Sequence, residues 1–480
     1  MNKTFHLAID LGATSGRTIL ASFDGKKVDM QEIARYNYPM MPLGSHQYWN
    51  LPLIYEHIVD SMKKCAETLA QMPGTPRLTT IGIDTWGCDV AYFYKDGSIA
   101  GLPYCYRDPH TVGAVDRFCT ETMPKEEVYE RTGIQFMDFN TLFQLDTIRR
   151  HNPELLEAAD KILFIPDALS YMLTGKAICE RTVASTSQML NPNTGDLDEV
   201  LLAKIGLPRS KFGPMTEPGT EIGTLLPRLA ELTGLGEVPV VAVAGHDTAS
   251  AVAAVPSPDS AFAYLSCGTW SLLGIENDGP IISGKSLEYN FTNEGGVDGT
   301  IRFLKNICGL WLFERCRAEF KDAPKDVAAL AALCLESDIE SIINPDDPSF
   351  ANPESMTKAI DDYCATTSQR RPEAPADYIR IIYRSLAHRY GEITGWLREL
   401  SPVEIKRLHV IGGGSRNHHL MQMAADILGI PVVAGPAECT ALGNVLMQLR
   451  AAGSLSSLGE MRQVAVDSTE TITFNPRTQN

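Results

Sequence analysis

Nowhere does the 480-residue chain run apolar without interruption for the eighteen or so residues that a membrane helix needs. Met1-Asn2-Lys3-Thr4 leads straight into a strand-like stretch with no apolar signal core. Positive charge is scarce, with 42 basic against 59 acidic residues and a net charge of −17, which excludes a polyanion-binding or anionic-membrane surface. Phosphate ligands remain open, because backbone amides and a magnesium ion can hold them locally. The eleven cysteines are odd in number, form no C-x-x-C pair and sit partly inside apolar runs, so they read as reduced thiols. These absences predict a cytoplasmic protein without nucleic-acid or membrane partners. With 44% hydrophobic and 21% charged residues, the chain is long enough for two domains with their own cores.

The organising stretch is Gly245-His246-Asp247-Thr248. It lies between the apolar run Val238–Ala244, read as a buried strand, and a small-residue helical run from Ala249 to Val255. Turns at the carboxyl ends of strands are where open α/β sheets hold ligands. Asp247 has two roles open to it there, as the cap of the following helix or as a base projecting towards a ligand.

At the amino end, Phe5–Asp10 and Thr18–Phe23 flank a Gly/Ser/Thr turn and predict a β-hairpin. Gly12, Thr14, Ser15 and Gly16 offer uncrowded amides and hydroxyls to a phosphate, and Asp10 could hold magnesium through water. The plainer reading is that glycine-rich turns simply make hairpins. Residues 52–72 predict an amphipathic helix and 78–84 a strand, followed by Thr85-Trp86-Gly87-Cys88-Asp89. A tryptophan wall, a glycine and two aspartates, Asp84 and Asp89, would suit a sugar, as would a buried tryptophan at a bulged turn suit the fold. The strand–turn–strand plan returns at Ala261–Glu276, around Gly268 and Thr269, which suggests two related halves divided near Val243. Thr220–Glu237 reads as a connection, Lys305–Phe320 as an amphipathic helix, Gly412–Asn417 as a glycine turn opening a helix, and the last fifteen residues as a trailing segment.

Three motifs carry less than their letters promise. Gly279–Ser286 spells G-x-x-x-x-G-K-[ST], but no helical periodicity follows Lys285. His418-His419 point about 100° apart on a helix with no spaced carboxylate or cysteine, which favours solvated surface over a metal site. His246-Asp247 has no G-x-S-x-G serine to complete a hydrolase triad.

Taken together, Asp10–Arg17, Gly245–Thr248, Ser266–Trp270 and Gly412–Asn417 resemble, in order and separation, the FGGY carbohydrate kinases. The segments Ile83–Asp89, Thr292–Gly296, Lys305–Trp311 and Ile342–Pro345 resemble one ketose-kinase branch of that family. The resemblance covers nearly the whole chain. It implies an α/β fold of two ribonuclease-H-like (actin-like ATPase) domains, residues 1–243 and 244–480, with a central ligand cleft. It implies ATP-dependent phosphorylation of L-rhamnulose at O1; another ketose such as L-fuculose, or a non-catalytic sugar- or nucleotide-binding protein on the same scaffold, is the alternative. Carried over by motif, Ala13, Thr14, Ser15, Gly16, Arg17, Thr269 and Gly413 are expected at ATP. Gly87, His246, Asp247, Thr248 and Asn306 are expected at the sugar, with Asp247 as proton acceptor and Asp10 at Mg²⁺ through water. Glu314 occupies a position where some relatives place a nucleotide-contacting glutamine. The expected partners are ATP and a ketose, in a monomer or homodimer.

Overall fold

A computed structural model describes residues 3–13, 15–321 and 323–477; Thr14 lies outside the described residues. Two compact units result, the first from residues 1–258, 277–303 and 440–468, the second from 259–276, 304–439 and 469–480.

The first unit is built on the expected hairpin. Strands β1 (Thr4–Leu11) and β2 (Ser15–Phe23) pair antiparallel, and β2 continues to β3 (Val28–Asn37). On its other side β1 runs parallel to β4 (Thr80–Thr85), and β4 parallel to β6 (Pro239–Ala242), with β5 (Thr220–Thr224) antiparallel at the edge. Leu7, Ala8, Ile9 and Leu11 are all fully buried. A strand covered on both faces reads as a continuous apolar run rather than an alternation, as β1 does. Helix α1 (Leu51–Gln71) starts where Asn50 accepts from the Leu53 amide, and buries Leu51, Ile54, Ile58, Met62, Cys65 and Leu69 at helical spacing.

Register sets the chemistry of the sheet edge. Asp10 is level with Asp84 and Leu11 with Thr85 in the parallel pair, and Thr85 bridges to His246 beyond β6. Asp10, Asp84 and His246 therefore share the carboxyl edge of three parallel strands. Helix α2 (Asp247–Ala253) leaves from that edge.

In the second unit β7 (Phe262–Cys267) forms a hairpin with β8 (Trp270–Asn277). Strand β9 (Thr292–Gly295) and the start of β10 (Ile301–Cys308) belong to the first unit, and β10 carries the chain into the second. Six strands of the second sheet run in the order β10, β8, β7, then β11 (Arg407–Ile411), β12 (Val432–Ala434) and β13 (Ile472–Phe474), with β11 parallel to β7 and to β12. The repeated plan expected from the sequence is thus present: in each unit a hairpin's first strand runs parallel to a later one.

Several local expectations change. Gly284–Glu288 forms a short helix, α3, where the sequence shows no helical period; the Ser283 hydroxyl accepts from the Ser286 amide and the Ser286 hydroxyl accepts from the Ser283 amide, so side-chain capping starts it. Lys305–Cys308 lies on β10, and the helix expected from Lys305 begins only at Trp311, as α4 (Trp311–Glu319). The last residues are not simply trailing, since β13 (Ile472–Phe474) pairs antiparallel with β12. The connection at 220–237 contains β5 and a helix over Pro227–Thr233. None of the eleven cysteines forms a disulfide. No helix among the described residues is long and apolar enough to cross a membrane.

Candidate active site

The Gly245–Thr248 turn is held by a carboxylate that the sequence did not flag. Glu180 Oε2 accepts from the Gly245 amide at 3.0 Å, and a Cβ on residue 245 would lie 2.9 Å from the same oxygen, which explains the glycine. The Glu180 carboxylate also takes the Thr182 and Val183 amides and the Thr182 hydroxyl, while that hydroxyl's oxygen accepts from the His246 amide at 3.2 Å. Burial raises the Glu180 pKa and these donors oppose the rise. No local pattern could have announced a contact across 65 positions.

Asp247 is the first residue of α2 and not its cap; His246 occupies that position in extended conformation. The Asp247 Oδ1 accepts from the Thr248 amide at 2.5 Å and the Thr248 hydroxyl at 3.1 Å, which leaves the side chain 32% exposed. Burial pushes its pKa up, His246 and the Thr248 bonds pull it down, and the charge of Asp10 adds to the rise. A carboxylate so placed is aimed, partly desolvated and accessible, as a base requires.

Beside it, Arg17 Nε and Nη2 both reach Asp10 Oδ2, at 2.8 and 2.6 Å. The hairpin turn is closed by the Gly12 amide on the Ser15 carbonyl and braced by the Tyr38 hydroxyl on the Gly12 carbonyl at 2.6 Å. Ala13 and Ser15 are half-buried. Gly16 is a packing glycine, since a Cβ there would meet Leu11 and Tyr36 carbons at 2.6 Å. The Asp84 carboxylate is fully buried and its pKa is driven well upward, first by burial and then by Asp10.

Gly87 makes room for Thr186, whose side-chain atoms would lie 2.8–3.0 Å from an added Cβ. Trp86 is not an open wall. It is 5% exposed, packs 4.3 Å from Trp49 and donates to Asp89 Oδ2 at 3.0 Å. Asp89 collects the Trp49 indole, the Tyr106 amide and the Gln144 amide group as well, so it organises the interior.

In the second unit Thr269 stands exposed at the tip of the β7–β8 turn, where the Gly268 amide donates to the Trp270 carbonyl. The Gly268 and Thr269 carbonyls accept from amides of Gly309, Leu310 and Trp311 at the start of α4. Gly412 takes φ +83° and Gly414 lies against Cys267, where a Cβ would clash at 2.3 Å, whereas Gly413 faces open space. The Gly412–Arg416 turn leads into a helix over His418–Leu428, capped by Asn417. Asn306 is half-buried on β10. Glu314 is exposed and pairs with Arg317 at 2.9 Å. The first unit therefore gathers Asp10, Ala13, Ser15, Gly16, Arg17, Gly87, His246, Asp247 and Thr248, and the second carries Thr269, Asn306 and Gly413.

The FGGY carbohydrate kinase N-terminal domain profile matches residues 5–254, and the C-terminal domain profile matches 263–452. The chain belongs to the FGGY family of carbohydrate kinases. It is 51% identical over 477 residues to a rhamnulokinase of Bacteroides thetaiotaomicron, covering 99% of this chain and 96% of that protein. A rhamnulokinase of Pectobacterium atrosepticum is 40% identical, with 99% and 93% covered. The crystal structure of a gluconate kinase from Lactobacillus acidophilus superposes with a TM-score of 0.82 at 15% identity, over 99% of this chain and 94% of that one, a likeness of fold. As a family member the chain is a carbohydrate kinase with a ribonuclease-H-like, actin-like ATPase fold, and ATP is its co-substrate.

Proposed function

We propose that this carbohydrate kinase phosphorylates L-rhamnulose at O1, giving L-rhamnulose 1-phosphate and ADP, as a cytoplasmic step of L-rhamnose breakdown. The observation that carries the choice of sugar is the 51% identity, over nearly the full length of both chains, to a rhamnulokinase. Asp247 accepts the O1 hydroxyl proton as the bond to phosphorus forms. Its raised pKa brings its basicity nearer to neutral, and its bonds to Thr248 fix the direction of attack. Phosphoryl transfer through a loose transition state asks chiefly for in-line positioning and charge neutralisation. The hairpin turn at Ala13–Arg17, with Thr269 and Gly413, is assigned to ATP. Gly87, His246, Thr248 and Asn306 are assigned to the ketose.

Among the described residues no cluster of three or more His, Cys, Asp or Glu side chains is spaced to ligate a metal directly. Arg17 occupies Oδ2 of Asp10, and the carboxylate's other oxygen would be left for a water of a magnesium ion that keeps its water shell and is held mainly by nucleotide phosphates. Such an ion would neutralise charge on the triphosphate. The test is ADP release across L-rhamnulose, L-fuculose and L-xylulose, with ³¹P–¹H NMR locating the phosphate. A strong preference for L-rhamnulose with phosphate on C1 is expected, and a preference for another ketose would reassign the substrate.

A further inference from the structure

Arg302 is fully buried, at 0% exposure, and the mechanism above does not use it. Its Nε donates to the Gly295 carbonyl at 3.0 Å, and its Nη2 lies 3.1 Å from both His246 Nδ1 and Glu294 Oε2. Glu294 is itself 4% exposed and its carboxylate stands 3.3 Å from the same His246 Nδ1. The other ring nitrogen, Nε2, is 3.4 Å from Asp247 Oδ1. All four side chains belong to the first unit.

A guanidinium has five donors and no acceptor, so a ring nitrogen that meets it in hydrogen-bonding geometry must be bare. Of the two contacts to Nδ1 the Arg302 one has the hydrogen-bonding geometry, while Glu294 Oε2 stands at ion-pair distance from both groups; burial works to raise its pKa, and Arg302 and His246 hold it below the ordinary range. The proton of a neutral ring then sits on Nε2, the nitrogen that faces Asp247. A buried charge pair is costly to build, and fixing a geometry is one use for it.

We propose that Arg302, braced by Glu294 and the Gly295 carbonyl, is a positioning residue that holds His246 as its Nε2–H tautomer, so that the ring offers the sugar an N–H donor. The inference rests on the reading of Asp247 as base: a bare Nε2 would be a second, competing acceptor for the hydroxyl proton, and an Nε2–H removes it. The same N–H is directed to an oxygen of the acceptor sugar, a hydroxyl or the ketone.

The test uses the full-length protein labelled with ¹⁵N-histidine, without ligand, with the His246 signals assigned by their loss in His246→Gln. Expected is a protonated Nε2 and a bare Nδ1 in the wild type and in Glu294→Gln. A protonated Nδ1 in the wild type would overturn the proposal, because Glu294 would then be setting the ring; a protonated Nδ1 in Glu294→Gln would overturn it too, because Arg302 would then not be keeping that nitrogen bare. In kinetics Arg302→Gln should lower kcat/KM for the ketose ~10-fold or more, the scale for losing a supporting partner, while KM for ATP stays nearly constant and Arg302→Lys recovers part of the loss. Equal effects on ATP and ketose would mark Arg302 as merely structural. Should Arg302→Gln fail to fold, the ring-nitrogen measurement still decides. Absence of ketose-dependent ADP release in the wild type would refute the kinase reading and leave the ring-nitrogen result standing.

Discussion

Asn444 Nδ2 donates to Asp84 Oδ2 at 2.6 Å, and that bond is the last of a buried chain whose donors all point the same way. Gln448 Nε2 donates to Asn444 Oδ1 at 2.7 Å, and the Thr80 hydroxyl donates to Gln448 Oε1 at 2.7 Å. Having spent its only proton, Thr80 must accept from His6 Nδ1, which lies 2.7 Å away. The chain thus runs along β1 and β4 from His6 to the carboxyl edge, where Asp84 stands level with Asp10. Aligned hydrogen bonds polarise one another, and a broken link leaves buried groups unsatisfied. Gln448→Leu is expected to lower unfolding free energy by roughly 2–4 kcal/mol in a denaturant titration.

The head of that chain sets a pH dependence. Burial brings the His6 pKa down to about 4. Because this lies below the unfolded value of 6.5, the unfolded state binds the extra proton across that window. His6 therefore contributes stability in full above about pH 6.5 and loses it as pH falls towards 4, roughly 3 kcal/mol in all. Unfolding free energies at several pH values, for wild type and His6→Gln, should show the slope diminished in the variant.

Asp89 carries the opposite sign. Burial raises its pKa to about 6 against the work of the surrounding donors, so its contribution falls as pH rises from about 4 to 6. Three of its donors end on Oδ2 and the Gln144 amide on Oδ1. In Asp89→Asn one of these donors faces another N–H. Thermal melts should report a net destabilisation on the order of 1–3 kcal/mol at neutral pH.

Gly443 has no room for a side chain. A Cβ on Gly443 would lie 1.8 Å from the backbone carbonyl oxygen of Ser250, where helix 439–451 crosses α2. Gly443→Ala forces backbone apart beside the His246–Asp247 turn and should cost roughly 3 kcal/mol or more, with soluble yield falling. Wild-type-like melting would refute this close crossing.

The hairpins, the strand before Gly245 and helix α1 were legible because local patterning and burial agree in them. The turn residues were legible because glycine, hydroxyl and carboxylate side chains cluster there. Glu180, Arg302 and the Asp84–His6 chain were not, since each depends on partners far along the sequence whose spacing has no period. The wall reading of Trp86 failed for a related reason: only the fold reveals that Asp89 draws its indole inward. Lys305–Cys308 looked helical because only Gly309 and Leu310 separate the end of β10 from α4.

Asp247 is the proposed base. Asp247→Asn keeps an Oδ1 for the Thr248 amide but cannot take a proton. Its kcat for L-rhamnulose should fall at least ~10²-fold with KM for the sugar little changed, the usual scale for a general base. In the wild type the acid limb of kcat/KM should lie above the ordinary aspartate range, because burial raises the Asp247 pKa and activity is lost as pH falls through it. Near-native turnover by Asp247→Asn, with normal sugar binding, would contradict a role for Asp247 as base.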